Sequence, residues 1–430
     1  MFLYSLISIL CVSYTMHIVL KFNRLLGRRI NPLSSMVVVF YFFIILNFLF
    51  AKYFNIKRLN SEGAFYLTLG IMLISFVSYL VAKKLLISDR VYSGSTDLLL
   101  SLKKVFTDSR FTNEIGVLSD LCFILSIISY VYYFLYISRY ITPQDILNNV
   151  RAWKNLELSS LIDVNSILFM PMHNSVIASI LTLNFMIRKN KKSLAMLSIY
   201  ILVSLVYPRR DPILIVLLSS FSIVSLFWEG KRLITIGLIF LLIIFGSFFF
   251  IQENITLGNL SRIDDLFCYT SGNISSFQSV VDSEVKFETN YYLQNSFYFI
   301  YAFMKYFDRR LAPPSVIKPN PEYGSVMQPN TYTAFADPVY EGGVVGLALY
   351  SIYAGIITGL ICSYLISKHD LIAFGMYGCL FSVAVRSFIN NTFGWLDIYG
   401  SLIILLLLNL IYSLLSRFRK PYVIKKRFGN

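Results

Sequence analysis

The stretch "LVYPRRDPILIVL", residues 205–217, places two arginines and an aspartate between two apolar runs, with a proline on either side. The hairpin around it, 193–228, must make two crossings and a turn in 36 residues. Two full crossings of a bilayer alone need about 40 residues. The tip of the hairpin is therefore predicted to lie slightly sunk in one leaflet. Asp211 can neutralise only one of Arg209 and Arg210, so a positive charge remains at the tip.

The composition around this hairpin indicates a membrane protein. Hydrophobic residues make up 56% of the chain and charged residues only 14%, where a soluble domain is about a quarter charged. The first apolar run starts at Met1 with no basic segment before it and is predicted to be a retained helix. The sequence predicts an all-α polytopic membrane protein in which residues 1–430 form a single integral membrane domain. Eleven runs are candidate transmembrane helices: 2–20, 33–51, 64–82, 115–137, 164–187, 193–208, 213–228, 233–251, 343–366, 371–389 and 398–416.

The distribution of Lys and Arg predicts the orientation, because short cytoplasmic segments carry the excess of positive charge. With the N-terminus outside, the inner segments hold 23 basic residues and the short outer segments eight. Residues 252–340 then form a large outer loop of 89 residues between helices eight and nine, with six of the twelve prolines. Within it, 290–307 is apolar and is predicted to be an interfacial or re-entrant helix. The outer loop is the predicted place of function.

Arginines near the outer ends of helices point to an anionic ligand. A guanidinium keeps its charge and presents a planar fork of donors that matches phosphate oxygens, so a lipid pyrophosphate suits Arg209 and Arg210. Arg386 lies about one turn inside the outer end of the tenth helix, and an ionisable residue within a membrane segment is a functional candidate. The alternative for all three is that they snorkel to lipid headgroups.

Two carboxylates stand at the predicted start of the ninth helix. Asp337 and Glu341 are four residues apart in "QPNTYTAFADPVYEGGVVGLALYSIYAGIITGL", residues 328–360. Acidic residues at this position stabilise a helix N-terminus, which is one explanation of the pair. They are also the closely spaced carboxylates beside the predicted arginine site, so either is a candidate base for deprotonating a hydroxyl.

The motifs that would indicate other chemistry are absent from the sequence. No His or Cys grouping has metal-ligand spacing, and no nucleotide-binding glycine loop occurs, so neither a metal nor a cofactor is predicted. The net charge of +15 follows from the basic inner segments and suits anionic membrane lipids. It therefore predicts no nucleic-acid partner.

The chain resembles the O-antigen and oligosaccharide repeat-unit polymerases of bacterial envelopes, the Wzy type. The likeness rests on "CYTSGNISSF" (268–277), on "NTYTAF" (330–335) leading into "EGGVVGLALYSIYAG" (341–355), and on the arginine-bearing tip "YPRRDP" (207–212). It implies an all-helical fold similar to the C-type glycosyltransferase (GT-C) superfamily. It also implies a metal-independent glycosyltransferase in the bacterial inner membrane. Such an enzyme would join oligosaccharide repeat units carried on undecaprenyl pyrophosphate, with its active site facing the periplasm.

The resemblance gives the candidate residues their roles. A chain-length regulator and a flippase are the protein partners it implies. A base would be Asp337 or Glu341, with Arg210 stabilising the departing charge. The glycan would be held by Asn330, Tyr332 and Trp395. The pyrophosphate would be bound by Arg209, Arg210, Arg262 and Arg386.

Three alternatives remain at the level of the sequence. A glycan ligase of similar layout is expected to carry a functional His in the outer loop, and none occurs between 252 and 340. A lipid-linked oligosaccharide flippase or other transporter would use the arginines as a substrate path. The third is a scaffold without enzymatic activity.

Overall fold

The protein is described by a computed structural model, and helices dominate the part of the chain that it describes. This part comprises residues 2–53, 56–88, 108–137, 170–206, 210–228, 230–252, 272–285, 287, 289, 291–311, 332–394 and 397–418. No β-strand occurs within these residues. The helices are α1 (Phe2–Leu26), α2 (Pro32–Phe50), α3 (Ser61–Ser88), α4 (Ser109–Ile137), α5 (Met170–Arg188), α6 (Lys191–Val206), α7 (Arg210–Phe227), α8 (Lys231–Gln252), α9 (Gly272–Val281), α10 (Tyr298–Met304), α11 (Ala336–Lys368), α12 (Leu371–Arg386) and α13 (Asp397–Phe418).

An α-helix lies at each of the eleven apolar runs of the sequence. By length and hydropathy, six of the described helices can cross a membrane, namely α1, α2, α3, α4, α11 and α13. Shorter apolar helical segments lie within α5, α7 and α12. The chain is thus an all-helical polytopic membrane protein. Eleven crossings and the likeness to the C-type superfamily stay predictions.

The outward faces of several helices are apolar, as lipid contact requires. Leu10 of α1, Leu242 of α8 and Leu410 of α13 are all more than half exposed. Large exposed apolar surfaces are unfavourable in water and are expected where lipid tails are the solvent. These helices therefore lie at the periphery, while α5, α7 and α12 pack against one another in the interior.

Glycines set the closest helix packing in the molecule, between α3 and α11. A Cβ atom on Gly355 would lie 2.7 Å from the Cβ of Val77, and one on Gly359 would lie 2.8 Å from the carbonyl oxygen of Ser78. Small residues allow helix backbones to approach this closely in a membrane protein. Gly355 and Gly359 therefore lie on the face of α11 that contacts α3.

Helix α9 brings part of the 252–340 loop into the bundle. Its residues 272–280 are all buried, and it packs against α2, α3 and α11. The Asn47 side-chain amide donates to Ser275 Oγ at 2.9 Å, and the Asn60 backbone amide donates to Gln278 Oε1 at 2.9 Å. Buried polar groups need such partners, so the polar face of α9 fits only this place in the bundle.

A three-residue ion-pair cluster, the Lys57 clamp, fastens the end of α9. The Lys57 ammonium contacts the carboxylates of both Asp282 and Glu284. Burial lowers the pKa of Lys57, but the hydrogen bonds and charges of the two carboxylates outweigh it, so the pKa is raised. The connection between α2 and α3 is thereby tied to the loop.

The apolar stretch 290–307 forms a helix only in part. Helix α10 covers seven residues, and turns occupy the described residues before it. The backbone amides of Asn295 and Ser296 donate to a side chain of α11 and not to a longer helix. Phe303 and Tyr306 are 64% and 80% exposed, whereas Phe299 stacks on Tyr353 and Tyr399 of the bundle.

Candidate functional site

A buried ion pair joins the end of α12 to the start of α13. Arg386 Nη1 donates to Asp397 Oδ2 at 3.3 Å, and the side chains are only 6% and 18% exposed. The cation lies at a helix C-terminus and the anion at a helix N-terminus, where each complements the helix dipole. Arg386 therefore lies inside the bundle, and its charge is matched by a carboxylate.

A small polar cavity lies beside this ion pair. Its volume is about 10 Å³, which is close to the minimum that holds one water molecule. It is far too small for a pyrophosphate. The cavity is lined by Ser175, Ile215, Cys379, Ser382, Val383, Arg386 and Asp397.

Asn391 connects this end of the bundle to the large loop. Its Nδ2 donates to the carbonyl oxygens of Asn295 and Ser296, at 2.9 and 3.3 Å. The same nitrogen lies 3.2 Å from Asp337 Oδ2, and Asn391 Oδ1 accepts from the Gly394 backbone amide at 3.1 Å. Asn391 and Asp337 are both 1% exposed. A fully buried amide with this many partners fixes three chain segments relative to one another.

Glu341 also contacts the turn at Asn295 and Ser296. Its carboxylate accepts from the Asn295 backbone amide at 2.7 Å and from the Ser296 backbone amide at 3.0 Å. Ser296 Oγ donates to it as well, at 2.5 Å. The first turns of α11 are bent at Gly343, which has a φ of 54°. Glu341 is half-buried, whereas Asp337 points into the core, so the two predicted carboxylates have different surroundings.

Arg210 opens α7, a helix that packs against α12. Ile215, five residues further along α7, lines the cavity beside Arg386. With a rise of about 1.5 Å per residue, the Arg210 backbone lies about 7.5 Å along the helix axis from that point. The structure therefore brings the positions of Arg210 and Arg386 to the same end of the bundle, which we call the Arg386 end.

The other predicted site residues divide into two groups. Tyr332 is fully buried, and its ring packs edge-on against Phe287 with ring centroids 5.1 Å apart. In this conformation the Tyr332 ring is a core residue and offers no free face to a sugar. Four predicted residues lie outside the described part of the chain: Arg209, Arg262, Asn330 and Trp395.

The sequence did not predict that a turn at Asn295 and Ser296 would bind Glu341 and Asn391. Both residues lie within an aromatic stretch and carry no motif that signals a site. Their partners Glu341 and Asn391 are 45 or more residues away in the chain. The available signal was the Asn390–Asn391 pair beside Arg386, since amides at a helix end inside a membrane protein need polar partners.

The chain was compared with protein-family models, with characterised proteins and with solved structures. None of these comparisons gives a match. The fold and the site together define a polytopic helical membrane protein with a buried, charged polar cluster at one end of its bundle. Any activity must be argued from that cluster.

Proposed function

We propose that the chain is an O-antigen polymerase of the bacterial inner membrane. In this proposal the Arg386 end faces the periplasm. The protein transfers a growing glycan from one undecaprenyl pyrophosphate carrier to the sugar hydroxyl of a new lipid-linked repeat unit. The resemblance of the sequence motifs to the Wzy-type polymerases supplies the substrate class, and the charge arrangement supplies the chemistry.

The observation that carries the proposal is the buried Arg386–Asp397 pair beside α7, the helix that Arg210 begins. Charged side chains inside a membrane protein are costly and mark functional sites unless a structural need accounts for them. A lipid carrier presents its pyrophosphate at the membrane surface, where helix ends meet the headgroups. The proposal therefore assigns that ligand to the Arg386 end.

The reaction needs one group to take a proton and another to accept negative charge. The acceptor hydroxyl attacks the anomeric carbon, a new glycosidic bond forms, and the bond to the pyrophosphate oxygen breaks. The pyrophosphate leaves with the bonding electrons, and fixed guanidiniums stabilise the charge that develops on it. Arg210 and Arg386 take this role, with Arg209 and Arg262 as the other pyrophosphate ligands predicted from the sequence.

Of the two candidate bases, Glu341 fits better than Asp337. Asp337 is 1% exposed and borders the buried Asn391 amide. Glu341 is half-buried, so an acceptor hydroxyl can reach it. Three donors from Asn295 and Ser296 fix the position of its carboxylate at the edge of the loop.

The test is the glycan phenotype of a deletion strain, read on a gel of surface lipopolysaccharide. We expect core lipopolysaccharide carrying a single repeat unit, with the long-chain ladder restored by the wild-type gene. Glu341→Gln should fail to restore the ladder, whereas Glu284→Gln, the same change of residue type within the 252–340 loop, should restore it. Loss of even the single repeat unit would instead indicate a ligase or a flippase, and an unchanged ladder would refute the proposal.

A further inference from the structure

A second polar cavity lies far from the Arg386 end. It has a volume of about 540 Å³ and lies between the start of α4, the end of α5 and the end of α13. Tyr412, which lines it, is fifteen residues along α13 from Asp397, or about 22 Å at the helical rise. This cavity, the Arg188 cavity, is therefore separate from the proposed active site. Its lining residues are Asn113, Gly116, Val117, Asp120, Arg188, Tyr412 and Leu415.

Arg188 is held in place on the wall of this cavity. Its Nη2 donates to the Thr112 carbonyl oxygen at 3.0 Å. The guanidinium also lies flat against Gly116, where an added Cβ atom would be 1.8 Å from Nη2 and 2.4 Å from Cζ. A guanidinium has five N–H donors, and one bond to a carbonyl leaves the others for a ligand. A guanidinium with free donors favours an oxyanion with several acceptor oxygens, such as a phosphate.

The surrounding charge favours an anion as well. The cavity contains one acidic side chain, Asp120, and Lys192 already forms an ion pair with it at 2.7 Å. Lys189 and Lys191 are exposed at the same corner of the molecule. Four basic residues, Arg188, Lys189, Lys191 and Lys192, thus lie within five positions of the chain, and such a group suits an anionic headgroup.

The walls beyond the cavity are apolar and face outward. Ile124 and Ile128 follow the cavity residues along α4 and are more than half exposed. On α13, Leu410 and Leu414 are exposed and lie next to the cavity-lining Tyr412 and Leu415 in the sequence. A ligand with a phosphate head and hydrocarbon tails fits a polar cavity that is followed by apolar helix surfaces. A free phosphate would make no contact with those apolar surfaces.

We propose that the Arg188 cavity binds the phosphate of a membrane phospholipid, with Arg188 as the principal phosphate ligand. The acyl chains lie along the exposed apolar faces of α4 and α13. Because Gly116 has no side chain, the Arg188 guanidinium can lie against α4 at this position. The proposal does not depend on the enzymatic activity at the Arg386 end.

The test uses the full-length protein, purified in detergent, stripped of lipid and titrated with phosphatidylglycerol, with bound lipid counted by native mass spectrometry. Arg188→Ala removes the charged donor and should weaken lipid binding by about tenfold, as expected for loss of a charged hydrogen bond. Gly116→Ala keeps the charge but displaces the guanidinium, and it should weaken binding in the same direction. Arg232→Ala removes an exposed arginine outside the cavity lining and should leave binding unchanged.

Gly116→Ala still tests the site if Arg188→Ala unfolds the protein. Alanine favours a helix more than glycine does, so this substitution should not disrupt α4. Wild-type binding by both Arg188→Ala and Gly116→Ala would overturn the proposal. Equal losses in the Arg232→Ala control would overturn it too, because the effect would then be one of general charge. A parallel titration with inorganic phosphate separates the two sources of the anion. Phosphate alone displacing the lipid would overturn the assignment to a phospholipid.

Discussion

Breaking the Arg386–Asp397 pair from either side should show whether the two charges depend on each other. Arg386→Met removes the cation with little loss of volume, and Asp397→Asn removes the anion while keeping its shape. Each single change removes one charge of the pair and leaves the other inside the bundle. The double variant has neither charge.

The size of the effect follows from the geometry. At 3.3 Å the gross attraction is about 5 kcal/mol with an effective dielectric constant near 20, and desolvation of the two ions offsets most of it. One contact of this length is weaker than a bidentate pair, and Asp397 is 18% exposed. We therefore expect each single variant to cost about 3 kcal/mol, at the low end for a broken buried pair. The double variant should cost about 4 kcal/mol, roughly 2 kcal/mol less than the sum.

The assay is the free energy of unfolding of the four proteins, measured by steric trapping in bicelles. Coupling of about 2 kcal/mol would show that the pair interacts directly. Additivity within about 0.5 kcal/mol would refute the reasoning, because charges that do not interact are lost independently. The same variants separate structure from chemistry. Asp397→Asn keeps the guanidinium and should retain more polymerase activity than Arg386→Met if Arg386 acts on the pyrophosphate.

Three further predictions concern the packing of the fold. Asn391→Ala removes a buried amide that joins three segments, and it should lower the free energy of unfolding by about 2–3 kcal/mol in the same assay. Gly355→Ala places a Cβ atom 2.7 Å from Val77 and should cost about 1–3 kcal/mol, measured the same way. The Lys57 clamp contributes stability while Lys57 is protonated. Since its pKa is raised in the folded protein, that contribution should be present below pH 10.5 and be lost at higher pH. Lys57→Met should therefore show a smaller loss of thermal stability at alkaline pH than the wild type.

Hydropathy was sufficient to predict where the long helices lie, because lipid forces every spanning segment to be apolar and internally hydrogen-bonded. Pro32 and Asn31 even mark the start of α2, where Asn31 accepts from the Ser34 amide in a capping box. Hydropathy could not find α9. Its sequence "GNISSFQSVV" is too short and too polar for a membrane span, and only its partners on α2 and α3 make its burial favourable.

The candidate site was predictable in part. Arg386 stood out as a charge in an apolar segment, and Asp337 and Glu341 stood out by their spacing. Their partners could not be read from spacing, since Asn391 meets Ser296 across 95 residues. Glu341 meets the turn at Asn295 and Ser296 while Asp337 is buried beside Asn391, and no local pattern in the sequence specifies these different surroundings.

The most direct test of the central claim is chain extension by the purified protein. The protein would be reconstituted in liposomes with undecaprenyl-pyrophosphate-linked repeat units, and the products would be separated by length on a gel. We expect a ladder of polymers without added metal, and a rate about 100-fold lower for Arg386→Gln, as for loss of a preorganised donor. Repeat units that stay single in the presence of the wild-type protein would show that the chain is not a polymerase.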